Sequence, residues 1–224
     1  MLEVFGLNKT YPGGSRALDG INLEMRKGEM AFITGHSGSG KSTLLKIISG
    51  DESCSDGRVL FQGQCLTAMP TRRWPKIRRK MGIISQDFKL LMHQSVRENI
   101  SIPLEVVQTP NRVLRRRVDE MLDEVNLSSH ADKLPSQLSA GQRQRVVIAR
   151  ALINDPLIVL ADEPTGHLDP EEGSGIAHLL EDMHQKGATI LVATHDHHWP
   201  ERLGQRPIYL HEGRILENPA MRAS

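Results

Sequence analysis

The sequence predicts an α/β fold with a mostly parallel sheet, an antiparallel β edge and an inserted α-helical subdomain. Three observations carry this prediction. Short apolar runs alternate with stretches of helical periodicity, which is typical of βαβ units. A glycine-rich loop at 35–42 separates one apolar run from one helical stretch. Between 95 and 152, helical patterns follow one another without a convincing strand, which indicates an insert in the α/β core.

Two patterns predict the strands. Residues 18–25 alternate apolar and polar side chains, which favours a half-exposed antiparallel strand. Residues 30–33 are continuously apolar, as expected for a strand that is buried on both faces. Further short apolar runs predict strands at 59–61, 81–84, 157–161 and 189–193. Helices are expected in the intervals between them.

The helical subdomain is predicted over 87–155, which leaves 1–86 and 156–224 as the two parts of the α/β core. Within the subdomain, residues 112–125 carry apolar side chains at helical spacing. Pro156 is expected to end its last helix, because proline lacks the amide donor and restricts the residue before it.

Composition narrows the class of protein. The 224 residues are 38% hydrophobic, which suits a folded chain with a sizeable core. The 28 Lys and Arg balance 27 Asp and Glu, so the net charge provides no general attraction to nucleic acid or acidic lipid. The longest apolar runs are far shorter than a membrane span, and the early Glu3 argues against a secretory signal. Cys54 and Cys65 lack companions at zinc spacing and fit a reducing cytoplasm.

A phosphate-binding loop follows the predicted strand at 30–34. The pattern G-x-x-x-x-G-K-[ST] occurs at 35–42, and a helix opens directly after it. Glycines let successive backbone amides face a phosphate, Lys41 would neutralise β and γ oxygens, and Ser42 offers a hydroxyl to Mg²⁺. We therefore predict a P-loop NTPase core. Its phosphate-binding residues are expected to be Gly35, His36, Ser37, Gly38, Ser39, Gly40, Lys41, Ser42 and Thr43.

An acidic pair follows the apolar run at 157–161. Ligands of open α/β sheets gather at the carboxyl ends of the strands, so Asp162 is expected to hold the Mg²⁺ that Ser42 contacts. Glu163, one position further, can orient or deprotonate an attacking water. The alternative is an acidic helix cap after a core strand, which the nearby phosphate loop disfavours.

Taken together, the motifs resemble the signature of the ABC-transporter ATPases over about residues 4–212. They are the phosphate loop, Gln86 in Ser85-Gln86-Asp87, the segment Leu138-Ser139-Ala140-Gly141-Gln142, Asp162-Glu163, Leu168-Asp169, and His195 in Thr194-His195-Asp196. Taken alone, Ser139-x-x-Gln142 is a capping box. The resemblance implies a homodimer that forms on ATP binding and sandwiches two ATP molecules, each with Mg²⁺.

The resemblance also implies the roles of single residues. Tyr11 would stack on adenine, and Asp169 would bridge the dimer. Gln86 would sense the γ-phosphate and Mg²⁺, and His195 would contact the γ-phosphate, so that both join Glu163 in the catalytic set. The remaining nucleotide contacts would come from the facing copy, through the helix start formed by Ser139, Gly141 and Gln142. The adjacent His195, His197 and His198 could instead bind a metal, but no distant fourth ligand supports that site.

Two positions depart from the family pattern. Ala140 stands where the family usually has a glycine, close to where the γ-phosphate would dock, and His167 stands where a small or polar residue is commoner. Both would touch the implied dimer interface. They leave open an alternative of another class, a regulatory binding module that clamps ATP with negligible turnover.

Residues 11–14 and 28–46 resemble the cell-division ATPases of this family, which pair with the integral membrane protein FtsX. The resemblance implies a cytoplasmic protein at the inner face of the bacterial membrane, held there through its partner. The ATPase of a lipoprotein or macrolide exporter has the same motifs and is the alternative. No nucleic-acid partner is expected, because no zinc module or aromatic-basic stripe is present.

A docking surface for the membrane partner is predicted at about 87–104. Its apolar side chains are Phe88, Leu90, Leu91, Met92 and Val96, any of which could instead pack beneath the helical subdomain. The basic run at 72–80 surrounds Trp74 and is typical of a solvated face, with binding to anionic lipid as the alternative.

Overall fold

A computed structural model describes residues 1–203, 205 and 207–216, so the end of the predicted core, 217–224, lies outside the described residues. The helices in this part of the chain are α1 (Lys41–Ser49), α2 (Trp74–Arg78), α3 (Val96–Val106), α4 (Asn111–Glu124), α5 (Ala140–Leu152), α6 (Pro170–Gln185) and α7 (His198–Arg202). The strands are β1 (Leu2–Thr10), β2 (Arg16–Met25), β3 (Met30–Thr34), β4 (Asp56–Phe61), β5 (Gln64–Cys65), β6 (Met81–Ile84), β7 (Ile158–Asp162), β8 (Ile190–Thr194), β9 (Ile208–His211) and β10 (Arg214–Leu216).

Two sheets organise the chain. The larger sheet has the strand order β10-β9-β3-β8-β7-β6. Strands β9, β3, β8, β7 and β6 pair in parallel, and β10 adds an antiparallel edge. The smaller sheet, β2-β1-β4-β5, is antiparallel throughout. The predicted α/β fold with a mostly parallel sheet and an antiparallel edge is confirmed.

The larger sheet separates two hydrophobic clusters. Because neighbouring residues on a strand point to opposite faces, Phe32 and Ile33 of β3 are both fully buried but belong to different clusters. The cluster with Phe32 continues into α3, α4, α5 and α6, and the cluster with Ile33 joins α1 to the smaller sheet. Each fully buried side chain of this size stabilises the folded state by about 1.5–3 kcal/mol. This packing holds the carboxyl ends of β3, β7 and β8 side by side.

Residues 87–155, all of them described, contain helices and no strand. Ser95 and Ser139 begin α3 and α5 with capping boxes. In each box the serine side chain accepts from the backbone amide three positions later, and the side chain at that later position accepts from the backbone amide of the serine. Helix α5 ends at Leu152, ahead of Pro156, as predicted. Among the described residues, no helix combines the length and the apolar character that a membrane crossing requires.

The sequence patterns do not predict β1, β5, β9 or β10. In β1, the pairing register shifts between Val4 and Leu7, and Gly6 lies between them with a φ of 53°. This irregularity breaks the alternation that identifies a strand in the sequence. The other three strands have two to four residues each, which is too short for a periodic signal.

The predicted docking surface contains both buried and exposed side chains. Leu90 and Val96 are buried, and Phe88 packs partly against the core. Leu91 and Met92 are 47% and 48% exposed. These two residues therefore retain an apolar surface that another chain can contact.

The basic side chains at 72–80 are exposed apart from the partly buried Lys80, and Arg78 also makes contacts within the fold. Its guanidinium donates to the carbonyl oxygens of Ser49 and Gly50 at 3.0 and 2.6 Å and pairs with Asp51 at 2.8 Å. The two carbonyls lie at the C-terminal end of α1, where a positive charge is favourable. Arg78 thus caps α1 while its side chain stays 42% exposed.

Candidate nucleotide-binding and catalytic site

The phosphate loop runs from the end of β3 into α1 and is packed closely against its neighbours. A β-carbon on Gly35 would lie 2.1 Å from the carbonyl oxygen of Leu210. A β-carbon on Gly40, whose φ is 110°, would lie 2.4 Å from the carbonyl oxygen of Ala17. Only glycine fits at these two positions without moving the backbone. Helix α1 therefore starts with its first backbone amides at the mouth of the phosphate loop.

Lys41 is held across this loop. Its Nζ atom donates to the carbonyl oxygens of Gly35 and His36 at 2.7 and 3.2 Å and lies 3.6 Å from Oε1 of Glu163. The side chain is only 6% exposed. A buried ammonium with few partners is placed to receive phosphate oxygens, because it interacts strongly with negative charge where water is scarce.

Ser42 and Asp162 meet beside the loop. The Ser42 hydroxyl donates to Oδ1 of Asp162 at 2.9 Å. Burial raises the pKa of Asp162, the nearby negative charge of Glu163 raises it further, and the Ser42 hydrogen bond opposes the shift. A hydroxyl and a carboxylate are hard oxygen ligands of the kind that Mg²⁺ prefers, and a bound cation would relieve the cost of burying the charge.

Glu163 is oriented by the loop that follows β8. Its Oε2 atom accepts from the backbone amide of His195 at 3.2 Å and lies 2.8 Å from Nδ1 of the same residue. The backbone of Glu163 is in the left-handed region, with a φ of 48°. Such a conformation is uncommon for a non-glycine residue and costs about 1 kcal/mol or more. The side chain is thereby held at the mouth of the loop, 11% exposed.

Lys41, Ser42 and Glu163 open onto one cleft of about 780 Å³, which Asp162 does not itself line. The predicted site residues that line it are Tyr11, Gly35, His36, Ser37, Gly38, Gly40, Lys41, Ser42, Thr43, Gln86, Glu163 and His195. Ser39 is 4% exposed, and its hydroxyl has no hydrogen-bond partner among the described residues. The sequence prediction thus places most of its site residues around a single cavity.

Tyr11 stands at one end of this cleft. Its hydroxyl is within 3.4 Å of Thr43 Oγ1 and donates to Glu52 at 3.3 Å, while the ammonium of Lys9 lies 4.9 Å from its ring centre. Lys9 also pairs with Glu52 at 2.8 Å. These contacts leave Tyr11 fixed as an aromatic surface beside the phosphate loop.

Gln86 approaches the cleft from β6. Its Nε2 atom lies 3.4 Å from Nε2 of His167, which belongs to the loop before α6. His167, one of the two departures from the family pattern, therefore contacts Gln86 within the same chain. Gln86 has no hydrogen bond to Ser42 or Asp162 in this structure.

Ser139, Gly141 and Gln142 do not line the cleft. Ser139 and Gln142 form the capping box of α5. The hydroxyl of Ser139 and the amide of Gly141 both donate to the carboxylate of Glu172 on α6. Asp169 begins α6 by accepting from the amide of Glu172 at 2.8 Å, and it lines a neighbouring groove with His195. The structure therefore keeps the α5 helix start apart from the phosphate loop of its own chain.

The family model described as ABC transporter matches residues 18–166. That range includes the phosphate loop, Gln86, the start of α5 and the acidic pair at the end of β7. The chain belongs to the ABC transporter family of ATPases. As an ABC ATPase it binds nucleotide and hydrolyses ATP.

Its relatives include cell-division proteins of several bacteria. The cell division ATP-binding protein FtsE of Escherichia coli (strain K12) is 45% identical over 96% of this chain and 97% of its own length. FtsE of Mycobacterium tuberculosis is 42% identical over 97% of this chain and 95% of its own length. FtsE of Bacillus subtilis is 39% identical over 97% of this chain and 96% of its own length. This ABC ATPase is thus similar to FtsE over nearly its whole length.

The fold of this ABC ATPase is similar to that of cassettes solved as dimers. The cassette MJ0796, in a dimeric post-hydrolysis state bound to ADP and Pi, has a TM-score of 0.88 and 38% identity over 97% of both chains. A second dimeric structure of MJ0796 has a TM-score of 0.89 and the same identity and coverage. The resemblance to ABC-transporter ATPases and to their cell-division members is confirmed.

Two residues of this ABC ATPase, Glu172 and Arg150, hold the α5 start and the segment after Gln86 without a signal in the sequence. Glu172 occupies the third position of α6, where an acidic residue is ordinary because it suits the helix dipole. Arg150 of α5 donates to the carbonyl oxygens of Phe88 and Lys89, which follow Gln86. Each contact joins elements far apart in the sequence. Local patterns therefore could not identify either residue, and only the tertiary structure reveals them.

Proposed function

We propose that this protein is the Mg²⁺-dependent, ATP-hydrolysing subunit of a membrane complex, acting as a homodimer and resembling FtsE in cell division. One observation carries the proposal. Lys41, Ser42 and Glu163 line one cleft, with Asp162 hydrogen-bonded to Ser42 beside it, whereas the predicted phosphate donors at the start of α5 lie outside that cleft. A complete site for ATP then requires the α5 start of a second copy.

Mg²⁺ fits the pair formed by Ser42 and Asp162. Their oxygen atoms are 2.9 Å apart, and burial of the Asp162 carboxylate favours a counter-charge. Gln86 lines the same cleft and would add an amide oxygen when the loop after β6 moves inward. When bound there, the cation would neutralise negative charge on the phosphates.

Hydrolysis needs a base beside the γ-phosphate. Glu163 would accept a proton from a water molecule whose oxygen attacks the γ-phosphorus, while the bond to the β,γ-bridging oxygen breaks and ADP and phosphate form. His195 holds the carboxylate of Glu163 from one side, and Lys41 faces it from the other. His195 would also donate to the γ-phosphate once nucleotide is bound, and Lys41 would stabilise the oxygens of the transferred group.

Dimer closure would follow from the separation of the two phosphate-binding elements. The α5 start carries the Ser139 hydroxyl and the Gly141 amide at the positive end of a helix, and both donors already bind a carboxylate, which marks a natural anion site. The two dimeric structures of the related cassette MJ0796 support the same arrangement here. Tyr11 would hold adenine by stacking, and Asp169 would lie near the contact between the copies.

The FtsE relatives support a role in cell division with an integral partner of the FtsX type, which would hold this protein at the cytoplasmic face of the membrane. The partner would contact the exposed Leu91 and Met92, which lie close to Gln86 in the sequence. A groove beside them is lined by Phe88, Arg143 and His167. Gln86 lines both this groove and the nucleotide cleft, so a movement of the groove residues would reach the cleft directly.

Phosphate release by the purified protein with its partner tests this proposal. We expect Mg²⁺-dependent release that Glu163→Gln abolishes. Equal release by both proteins would remove the assigned base, and negligible release by the parent protein would favour the ATP-clamping module instead. Purification from membranes, followed by identification of the attached polypeptide, separates an FtsX-like partner from the membrane subunit of an exporter.

A further inference from the structure

Glu172 occupies the helix start that would bind the ATP of a second copy. Its Oε1 atom accepts from the hydroxyl of Ser139 at 2.7 Å, and its Oε2 atom accepts from the amide of Gly141 at 3.0 Å. One carboxylate thus takes both donors with its two oxygens. These are the donors that the proposed function reserves for the γ-phosphate on the facing copy.

The chemistry of this contact is that of an anion in a phosphate site. A carboxylate at a helix N-terminus is stabilised by the helix dipole and by charge-assisted hydrogen bonds, as a phosphate would be. The approach is close, because a β-carbon on Gly141 would lie 2.7 Å from Cδ of Glu172. Glycine at 141 therefore permits the carboxylate to reach the helix start.

Glu172 is also tied to the loop that the proposed function places at the dimer contact. Its backbone amide donates to Oδ1 of Asp169 at 2.8 Å, so the same residue is bound to Asp169 through its backbone and to Ser139 through its side chain. Both contacts lie in the first turn of α6, which begins with Pro170. A shift of this turn when two copies meet would carry the carboxylate away from α5.

We propose that Glu172 is an internal competitor of the ATP γ-phosphate at the start of α5, an inference that rests on the proposed ATP-bound homodimer. In the separate protomer, the carboxylate satisfies Ser139 and Gly141. In the closed dimer, the γ-phosphate of the facing copy displaces it. The protein then closes only when ATP provides a stronger anion than its own carboxylate, and both copies must release Glu172.

Dimerisation by ATP provides the first test. In the Glu163→Gln background, the Mg-ATP concentration for half-maximal dimer is measured by light scattering for the parent, Glu172→Ala and Glu172→Gln. Because a state that is only fractionally open loses apparent affinity by that fraction, Glu172→Ala should lower the midpoint about fivefold or more. Glu172→Gln keeps the size of the side chain without its charge and should give an intermediate value.

Glu171→Ala is the matched control. Glu171 is exposed and lies in the same first turn of α6, and it makes no hydrogen bond to Ser139 or Gly141, both of which donate to Glu172. Its replacement by alanine removes the same charge. Its midpoint should stay within about twofold of the parent. An unchanged or raised midpoint in Glu172→Ala would overturn the proposal, since a raised value would make Glu172 a support of the helix start. An equal decrease in Glu171→Ala would also overturn it, because a general charge effect would then suffice.

A second test does not depend on dimerisation. The amide signal of Gly141 is followed by NMR in nucleotide-free, ¹⁵N-labelled protein during titration with inorganic phosphate. Glu172→Ala should bring the midpoint of its shift to about fivefold lower phosphate than in the parent or Glu171→Ala. Equal midpoints in all three proteins would overturn the competition. If Mg-ATP produced no dimer in any variant, the proposed homodimer would fail, and the phosphate titration would still decide the role of Glu172.

Discussion

The carboxylate of Glu163 is bound on one side by His195, with Oε2 of Glu163 lying 2.8 Å from Nδ1 of His195. The other oxygen faces Lys41 at 3.6 Å. One oxygen is thus held by hydrogen bonds, and the other is directed into the phosphate cleft. This division suits a general base, because the carboxylate is oriented before any water is bound.

Replacing Glu163 by Gln should reduce ATP turnover by about 10²- to 10⁴-fold, because glutamine cannot accept the proton of the attacking water. ATP binding should persist, since Lys41 and the loop amides are unchanged, and an ATP-bound dimer should accumulate. Phosphate release and size-exclusion chromatography with light scattering measure the two effects. Glu171→Gln, at an exposed position on α6, serves as the control. A strictly monomeric Glu163→Gln protein in saturating Mg-ATP would contradict the expected dimer.

Lys41→Ala should weaken ATP binding about 10- to 100-fold, because a nearly buried ammonium beside the phosphates is lost. The exposed Lys27, in the turn before β3, provides a matched Lys→Ala change away from the cleft. Isothermal titration with a non-hydrolysable ATP analogue compares the two variants with the parent. The same affinity in all three proteins would refute the phosphate-binding role of Lys41.

Much of this site could be predicted from the sequence because its parts are local. The phosphate loop needs a strand, glycines and a helix start within about 15 residues, and Asp162 and Glu163 directly follow an apolar run. The contact of Glu172 with Ser139 could not be predicted in this way. It joins two helix starts that are 33 positions apart and depends on how α5 packs beside α6.

The strands likewise divide into those that a local pattern predicts and those that depend on tertiary pairing. Residues 30–33 and 157–161 are apolar because the sheet buries them on both faces, so composition alone indicates a strand. Strand β1 also buries Leu2, Val4 and Leu7, but the register shift near Gly6 removes its regular alternation. Strand β9 is four residues long and is specified by its pairing with β3, which a local pattern does not contain.

Asp162→Asn should stabilise the nucleotide-free protein at neutral pH by about 0.5–1 kcal/mol, or roughly 1–4 °C in Tm. Burial raises the pKa of Asp162, so its ionised form is the unfavourable one in the folded state. A carboxyl group with a raised folded pKa favours folding at low pH, and this contribution is lost as pH rises through that pKa. Asparagine still accepts from Ser42.

The sign of this effect gives a pH test. Near pH 7.5 the Asn variant should melt higher than the parent, and the difference should shrink as acid protonates Asp162 in the folded parent. Mg-ATP should raise the Tm of the parent and have much less effect on the variant, because the carboxylate for the cation is missing. Differential scanning calorimetry at two pH values, with and without Mg-ATP, measures both. A difference that grows on acidification would contradict the assigned direction.

Arg150→Met should destabilise the fold and loosen the segment after Gln86. The Arg150 guanidinium donates to the carbonyl oxygens of Lys89 and Phe88 at 2.9 and 3.1 Å, and its burial lowers the pKa of this side chain. Methionine keeps the apolar stem but leaves both carbonyls without this donor, which should cost about 1–3 kcal/mol.

The measurement is thermal unfolding together with hydrogen exchange of the segment after β6. A loss of about 1–3 kcal/mol corresponds to a Tm lower by roughly 2–12 °C for a chain of this size. Arg115→Met, at an exposed position on α4, is the control and should change the Tm by less than about 2 °C. Faster exchange confined to the segment at 86–92 would indicate that Arg150 fixes the predicted docking surface to α5. The same Tm and exchange in Arg150→Met and parent would mean that the two carbonyls are satisfied by water, and that α5 does not position this segment.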